Sequence, residues 1–247
     1  MPQIRVIVNP IAGKGRAAQL IPQLKSNLDQ LKLDYEICQT DYPWHAAELA
    51  EEAILNKVET VVAAGGDGTF NEVLNGLMLS KSNNLGSAKL GVICIGRGND
   101  FAFSMGIPTD IENACLALAQ GATRCIDIGR VVSELYPEGR FFGNGIGVGF
   151  DAMVGFLAAE MPYSGVFAYL AGALKTMMIY SPAPVMEIST DDEVITQATL
   201  MASIMNGRRM GGAFMMAPQS HPDDGLFDLC LAGAAGRLKI LQLIPRF

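Results

Sequence analysis

Short apolar runs rich in β-branched residues alternate with helix-period patterns over the first half of the chain. Ile4–Val8 reads as a strand, and residues 14–33 as an amphipathic helix whose first turns are disturbed by Pro22. Residues 35–38 predict a second strand and 43–57 a second helix, with Asp41 a candidate N-cap two residues ahead of it. A third strand is predicted over 60–64, a third helix over 70–79 and a fourth strand over 90–95. A further helix over 110–120 has Asp110 as N-cap and Gly121 after its end. This alternation predicts the α/β class, with a doubly wound parallel sheet.

Near residue 125 the rhythm changes. Residues 124–132, 140–148, 185–189, 193–206 and 226–231 read as strands, interrupted by one helical stretch over 152–180. A second, β-rich domain is therefore predicted, dividing the chain into 1–124 and 125–247. The stretch 156–178 is rich in Phe, Leu, Ala, Met and Tyr. Three roles fit it: lining an apolar cleft, dipping into a bilayer interface, or covering the second domain's sheet. Only Lys175 is basic there, whereas surface anchors usually carry several Lys or Arg. Met201, Met205, Met210, Met215 and Met216 suit either an adaptable lipid pocket or ordinary core filling.

Composition narrows the classes. The 247 residues carry a formal net charge of −7. That acidic balance counts against nucleic-acid binding, which needs Lys and Arg to neutralise phosphates. It also counts against whole-molecule attraction to anionic membranes. The five cysteines are odd in number and contain no CxxC pair, so they read as reduced thiols. His45 and His221 are the only histidines and neither lies near a cysteine pair, which argues against zinc. The start of the chain has no basic segment followed by a long apolar run, so no secretory signal is read. The best candidate span, 165–180, is interrupted by Lys175 and falls short of the ~20 apolar residues a span needs. The expectation is a cytoplasmic protein, peripheral at most at the inner membrane face, with transient membrane-surface contact. Sequence leaves a homodimer open.

Three predicted strands end in loops of Gly, Asn and Asp: Asn9-Pro10-Ile11-Ala12-Gly13-Lys14-Gly15, Gly65-Gly66-Asp67-Gly68-Thr69 and Gly96-Arg97-Gly98-Asn99-Asp100. In a parallel sheet all three lie at the carboxyl edge, where doubly wound folds bind ligands. Glycines there admit a phosphate close to the backbone, and the following helix offers its positive end. A carboxylate such as Asp67 would repel that phosphate unless it served beside Mg²⁺ or as a proton acceptor. One such loop would pass for an ordinary βα turn; three at successive strand ends point to a phosphate site. The chain has neither GxxxxGK[ST] nor GxGxxG after its first strand, so neither a P-loop nor a Rossmann dinucleotide site is supported.

With these residues in hand, the chain resembles the diacylglycerol kinase catalytic-domain family, the bacterial diacylglycerol kinase and YegS-like lipid kinases related to sphingosine and ceramide kinases. Asn9-Pro10 with Gly13 resembles that family's NPxxG, and Gly65 to Glu72 (GGDGTFNE) its nucleotide motif. Gly96 to Phe101 (GRGNDF) is similar to GTxNDF, Gly147 to Ala152 (GVGFDA) to GxGFDA, and Asp223 to Asp228 (DDGLFD) to DDGxxD. GGDGT alone is shared with NAD kinases and phosphofructokinases; five elements in this order are specific.

The resemblance implies an NAD-kinase-like nucleotide-binding domain followed by a β-rich, sandwich-like domain, with ATP and Mg²⁺ as cofactors and a diacylglycerol-like lipid as phosphate acceptor. ATP phosphates would lie against Asn9, Pro10, Ile11, Ala12 and Gly13, and against Gly65, Gly66, Asp67, Gly68, Thr69, Phe70, Asn71 and Glu72. Thr40, Arg97, Asn99 and Asp100 would flank the nucleotide. Arg97 stands where the family has threonine, and it fits either a phosphate contact or an accepted variant. Asp67, Asp100 and Asp127 match carboxylates that organise a Mg²⁺–water network. A further Mg²⁺ would be held by the Asp224 side chain with the backbone carbonyls of His221 and Leu226. For Asp223 and Asp224 the plain alternative is a hairpin turn, and for His221 a solvated loop position rather than a base.

The family's proposed general-base glutamate would fall beyond Phe247, as would a final returning strand. The chain stops in a segment, 236–243, that reads as helix, followed by Pro245-Arg246-Phe247. The expectation is a domain cut short at its C-terminus that binds nucleotide yet transfers phosphate poorly, unless Asp67 is itself the base. Two other functions compete: an NAD kinase, and a nucleotide- or lipid-binding regulator without catalysis.

Overall fold

The computed structural model describes residues 2–80, 88–161, 166–179, 183–236 and 239–240. They fall into two compact units, Met1–Gly143 and Asn144–Phe247.

The first unit is built on four parallel strands, β1 (Ile4–Val8), β2 (Tyr35–Gln39), β3 (Thr60–Gly65) and β4 (Lys89–Cys94), in the order β2-β1-β3-β4. Every residue of β1 is buried, as a parallel strand covered on both faces requires. Helices α1 (Arg16–Gln30), α2 (His45–Leu55), α3 (Asp67–Leu79), α4 (Asp100–Met105) and α5 (Ile111–Gln120) complete the unit. Leu24 and Leu28 of α1 and Ile111 and Cys115 of α5 pack on Val6, Val8, Val62 and Ile93. Ala50 and Ile54 of α2 and Val73 and Leu77 of α3 pack on Ile7, Val61 and Ala63, whose side chains take the opposite face. The sheet is thus doubly wound. From β1 the chain moves one way to β2, then crosses back to β3 on the other side, so strand order reverses between β1 and β3. That switch point is where such sheets form their ligand crevice.

Local signals explain most boundaries. The Asp110 side chain accepts the Asn113 N–H at 2.8 Å and Gly121 closes α5 in the left-handed region, as the sequence predicts. Helix α1 runs through Pro22 because Leu24 and Leu28 lock it to the sheet. Asp41 is not the cap of α2: Trp44 holds the N-cap position at φ 70° with no side-chain capping bond, and the Asp41 N–H donates instead to His45 Nδ1 at 3.1 Å. Helix α3 begins at Asp67, three residues earlier than its apolar period suggests, and α4 was not expected at all.

A hairpin of β5 (Gly129–Ser133) and β6 (Tyr136–Phe142) belongs to this first unit. Asn75, fully buried on α3, holds it: the Asn75 Nδ2 donates to the Phe141 carbonyl at 2.9 Å and the Phe141 N–H donates to Asn75 Oδ1 at 2.8 Å. The single strand predicted over 140–148 is therefore two strands. They part at Gly143, where a Cβ would stand 2.9 Å from the Phe70 ring and 3.2 Å from that of Phe101.

The second unit is antiparallel and β-rich. Strands β7 (Gly145–Gly149), β9 (Val194–Met205) and β10 (Asp228–Gly233) order as β10-β9-β7, and β8 (Val185–Ser189) pairs with β9. The helical stretch expected over 152–180 forms two packed helices, α6 (Phe150–Ala159) and α7 (Val166–Ile179). Phe150, Val154 and Ala173 pack on Leu200 and Met201 of β9, so these helices do cover the sheet. No helix among the described residues is long and apolar enough to cross a membrane. Of the terminal helix expected over 236–243, Lys239 and Ile240 are helical, while residues 237–238 and 241–247 lie outside the described residues.

Candidate nucleotide-binding site

The three glycine segments meet at the carboxyl edge of the first sheet, and Asn9 begins the assembly. Its N–H donates to the Ala64 carbonyl at 3.1 Å, extending the β1–β3 ladder by one rung. Its Oδ1 accepts the Ile11 N–H at 3.2 Å, and its Nδ2 donates to Thr69 Oγ1 at 3.2 Å on the first turn of α3. Gly13 turns the chain with φ 62°, and a Cβ there would lie 2.7 Å from the Ile95 carbonyl oxygen. Asn9 and Gly13 thereby fasten the β1 segment to those following β3 and β4. The Ile11 side chain points to solvent.

The segment Gly65 to Thr69 is hardly a loop. The strand ends at Gly65, Gly66 is the N-cap, and Asp67, Gly68 and Thr69 form the first turn of α3. The amide groups of a first helical turn lack intrahelical partners and face outward, the arrangement that receives anions. Gly66 lies against Gly96: a Cβ on Gly96 would come within 2.3 Å of the Gly66 Cα and 2.8 Å of Asn99 Oδ1. Gly68 is the opposite case, exposed, with no heavy atom within 4 Å of its Cβ position.

Asp67 sits across the N-terminus of α4 and its Oδ1 accepts the Phe101 N–H at 3.1 Å. Burial pushes the Asp67 carboxyl above its ordinary value, and the nearby charge of Asp100 pushes it further; N–H bonds from Phe101, Asn99 and Asp100 partly oppose this. Asn99 holds the turn in the left-handed region at φ 53°, with its Nδ2 donating to the Gly96 carbonyl at 3.3 Å. Beneath, the rings of Phe70 and Phe101 stack at 3.7 Å, joining α3 to α4.

Other expected residues stand differently. The Phe70 ring belongs to the core, and its N–H donates to the Gly66 carbonyl at 3.0 Å. The Asn71 Nδ2 donates to the Phe141 carbonyl at 3.0 Å, and its Oδ1 accepts from Arg140 at 3.2 Å. Thr40 is buried just beyond β2, its N–H donating to the Val8 carbonyl at 2.9 Å. Glu72 is half-buried on α3 and Arg97 is exposed between its two glycines. Asp127 lies half-buried between Ile126 and Ile128, both packed on the α2–α3 core. It does not complete a three-carboxylate group with Asp67 and Asp100; among the described residues no three His, Cys, Asp or Glu side chains gather as a metal-binding group. Sequence reasoning missed Asn75 and Arg140. Asn75 had a readable signal, since it follows Asn71 by one helical turn.

In the second unit, the Asp224 Oδ1 accepts the Leu226 N–H at 3.0 Å and Gly225 takes φ 77°, so the segment is an Asx turn rather than a two-residue hairpin. His221, Asp224 and Leu226 are all exposed. Asp151 opens α6, accepting the Ser203 hydroxyl and, at 2.8 Å, the Ala152 N–H. Burial raises its carboxyl above the ordinary value, against the lowering effect of Ser203. A Cβ on Gly147 would collide with that carboxylate at 2.1 Å, which accounts for the glycine in GVGFDA.

The chemistry of the donors fits a hard divalent cation. Asp67 and Asp100 are close enough for one charge to disfavour the other, a strain that a cation relieves. The set Asp224 with the His221 and Leu226 carbonyls is all oxygen, as Mg²⁺ prefers.

The family described as the diacylglycerol kinase catalytic domain matches residues 3–131, and the YegS C-terminal NAD kinase beta sandwich-like domain matches residues 144–247. A diacylglycerol kinase of Bacillus subtilis (strain 168) is 30% identical over 98% of this chain and 78% of its own length. One from Mycobacterium tuberculosis (strain CDC 1551 / Oshkosh) is 29% identical over 98% of this chain and 77% of its own. A crystal structure of a diacylglycerol kinase from Bacillus anthracis str. Sterne superposes with a TM-score of 0.75 at 24% identity, over 100% of this chain and 78% of that one. With the family matched across its carboxyl-edge site and a relative at 30% identity spanning nearly all of it, this chain belongs to the diacylglycerol kinase catalytic-domain family.

Proposed function

We propose that this lipid kinase uses ATP and Mg²⁺, and that it moves the γ-phosphate onto the hydroxyl of a diacylglycerol-like lipid. The observation that carries the reading is the convergence of Asn9, the first turn of α3 and the Gly96–Asn99 turn on one edge, with the Asp67 carboxylate among them. Phosphoryl transfer needs positioning and charge neutralisation more than covalent help. Backbone amides of Gly68 and Thr69, and the positive end of α3, would hold the phosphates. Asn9 would fix the distance between the β1 segment and α3 through Thr69.

In the transfer, the lipid hydroxyl oxygen bonds to the γ-phosphorus as the bond from that phosphorus to the β–γ bridging oxygen breaks. ADP leaves with the electron pair of that bond, and the hydroxyl proton passes to Asp67. A carboxyl held above its ordinary value is a better proton acceptor than an exposed one. Mg²⁺, when bound, supplies neutralisation of phosphate charge; Asp67, Asp100 and Asp127 would reach it at the first unit through water, and Asp224 with the His221 and Leu226 backbone carbonyls would hold a further Mg²⁺ in the second.

A lipid acceptor brings the protein to a membrane surface. Phe156, Phe167 and Met178 on α6 and α7 are each more than 70% exposed, and they give the second unit an apolar rim suited to that contact. Transfer of ³²P from γ-labelled ATP to a panel of lipids tests the assignment. Labelling of a lipid with a free hydroxyl supports it; labelling of NAD instead would replace it.

A further inference from the structure

The strongest unassigned feature is the surroundings of Arg140. Its guanidinium lies over the Trp44 ring at 4.6 Å and over the Tyr136 ring at 5.4 Å. One terminal nitrogen donates to the Tyr136 hydroxyl at 3.2 Å and the other to Asn71 Oδ1 at 3.2 Å. Both acceptors are neutral. Among the described residues no carboxylate pairs with Arg140, although the protein is acidic overall. A guanidinium has five N–H donors and a fixed charge. Here it lies over two aromatic rings and uses two of its donors on neutral oxygens, so further donors remain for an anion.

Two further facts tie this clamp to the carboxyl edge. Asn71, which Arg140 grips, is one helical turn beyond Asp67 on α3, within GGDGTFNE. Trp44 is the N-cap of α2, just past β2, and holds φ 70°. A bulky residue in the left-handed region is strained, and such strain persists where the surroundings impose it, most often at functional sites. A structural stitch between hairpin and helix is already provided by Asn75, so that task leaves the charge of Arg140 unexplained.

The geometry points to Arg140 as a phosphate-binding residue of the nucleotide site, with Trp44 and Tyr136 as the aromatic clamp that orients its guanidinium toward the polyphosphate. The assignment rests on the nucleotide reading above. A planar fork held against aromatic rings and pinned at two corners can offer a bidentate contact to a phosphate without first losing its own freedom.

Trp44 is the only tryptophan of the chain, so its emission reports on the clamp directly. The experiment titrates the unaltered chain with Mg-ATP, tripolyphosphate, adenosine and phosphatidic acid vesicles, following Trp44 emission, and measures ATP affinity by calorimetry for the unaltered chain, Arg140→Gln and Arg140→Lys. A saturable emission change with Mg-ATP and tripolyphosphate but not adenosine is expected. Arg140→Gln should weaken ATP binding at least tenfold with adenosine binding unchanged, and Arg140→Lys should recover part of the loss. The proposal is overturned if folded Arg140→Gln binds ATP as tightly as the unaltered chain, or if saturating ATP leaves the emission unmoved. An emission change with the vesicles and not with ATP gives the clamp to a lipid phosphate and also overturns it. If the unaltered chain binds no ATP by calorimetry, the nucleotide reading itself falls; if it binds ATP and only the Arg140 effects are missing, this inference alone falls. The emission titration needs no variant, so it decides the matter even should Arg140→Gln fail to fold.

Discussion

The Asp67 carboxylate accepts the backbone N–H of Phe101 at 3.1 Å, so one helix's first residue caps the next helix. Asp67 opens α3, and the amides it meets open α4. The same side chain therefore sets the spacing of two site segments and carries the charge the chemistry needs. Those roles conflict energetically, because burial and Asp100 both disfavour the ionised form.

That conflict makes a pH prediction. A carboxyl raised above its ordinary value contributes stability that is present below that value and lost as pH rises through the raised one. Asp67→Asn keeps an acceptor for Phe101 but has no charge to lose. The variant should melt higher than the unaltered chain at neutral pH, and the gap should close below about pH 4. Its phosphoryl transfer should fall by about 10²–10⁴-fold. Melting temperatures across pH 3–8, beside a kinase assay, read both; a variant less stable at pH 7 contradicts the account.

Gly68 and Gly96 separate binding from folding. Gly96→Ala drives a Cβ into the Gly66 backbone and should cost about 1–3 kcal/mol as an overpacked contact. Gly68→Ala meets nothing, and alanine is the better helix residue by about 0.5–1 kcal/mol. It should fold at least as well as the unaltered chain yet bind ATP more weakly, since its methyl stands where a phosphate approaches. Unchanged ATP affinity in Gly68→Ala would remove the phosphate from the first turn of α3.

Asn75→Ala breaks both hydrogen bonds to the Phe141 peptide and leaves its polar groups without these partners. The expected loss is about 1–3 kcal/mol, measured by denaturant unfolding. Hydrogen exchange at Phe141 should rise with it.

The exposed rings of Phe156 and Phe167 give a membrane test. Replacing both by Ser should lower activity on lipid vesicles several-fold while sparing activity on a short-chain, water-soluble diacylglycerol. Equal losses on both would mean the rings support the fold rather than the surface contact.

Much of the first unit was legible because its signals are local. The apolar runs of β1 and β3, the Asp110 cap and the Gly121 stop all depend on neighbours within a turn. The glycine segments were legible as a site because parallel strands deliver their ends to one edge. What escaped was set by distant contacts. The break at Gly143 answers to the Phe70–Phe101 stack, about 40–70 residues away in sequence. Helix α4 is short and is capped by Asp67 rather than by its own flank. Arg140 stands in an ordinary-looking hairpin and gains its meaning only from Trp44 and Asn71.

The most direct measurement is ³²P transfer from γ-labelled ATP to diacylglycerol by the purified chain, with and without Mg²⁺, beside Asp67→Asn. Mg²⁺-dependent formation of labelled phosphatidic acid, or of the phosphate of another hydroxyl lipid offered in its place, is expected from the unaltered chain and should be lost in the variant. Lipid labelling that persists in Asp67→Asn, or ATP binding with no lipid labelled under any condition, would contradict that expectation.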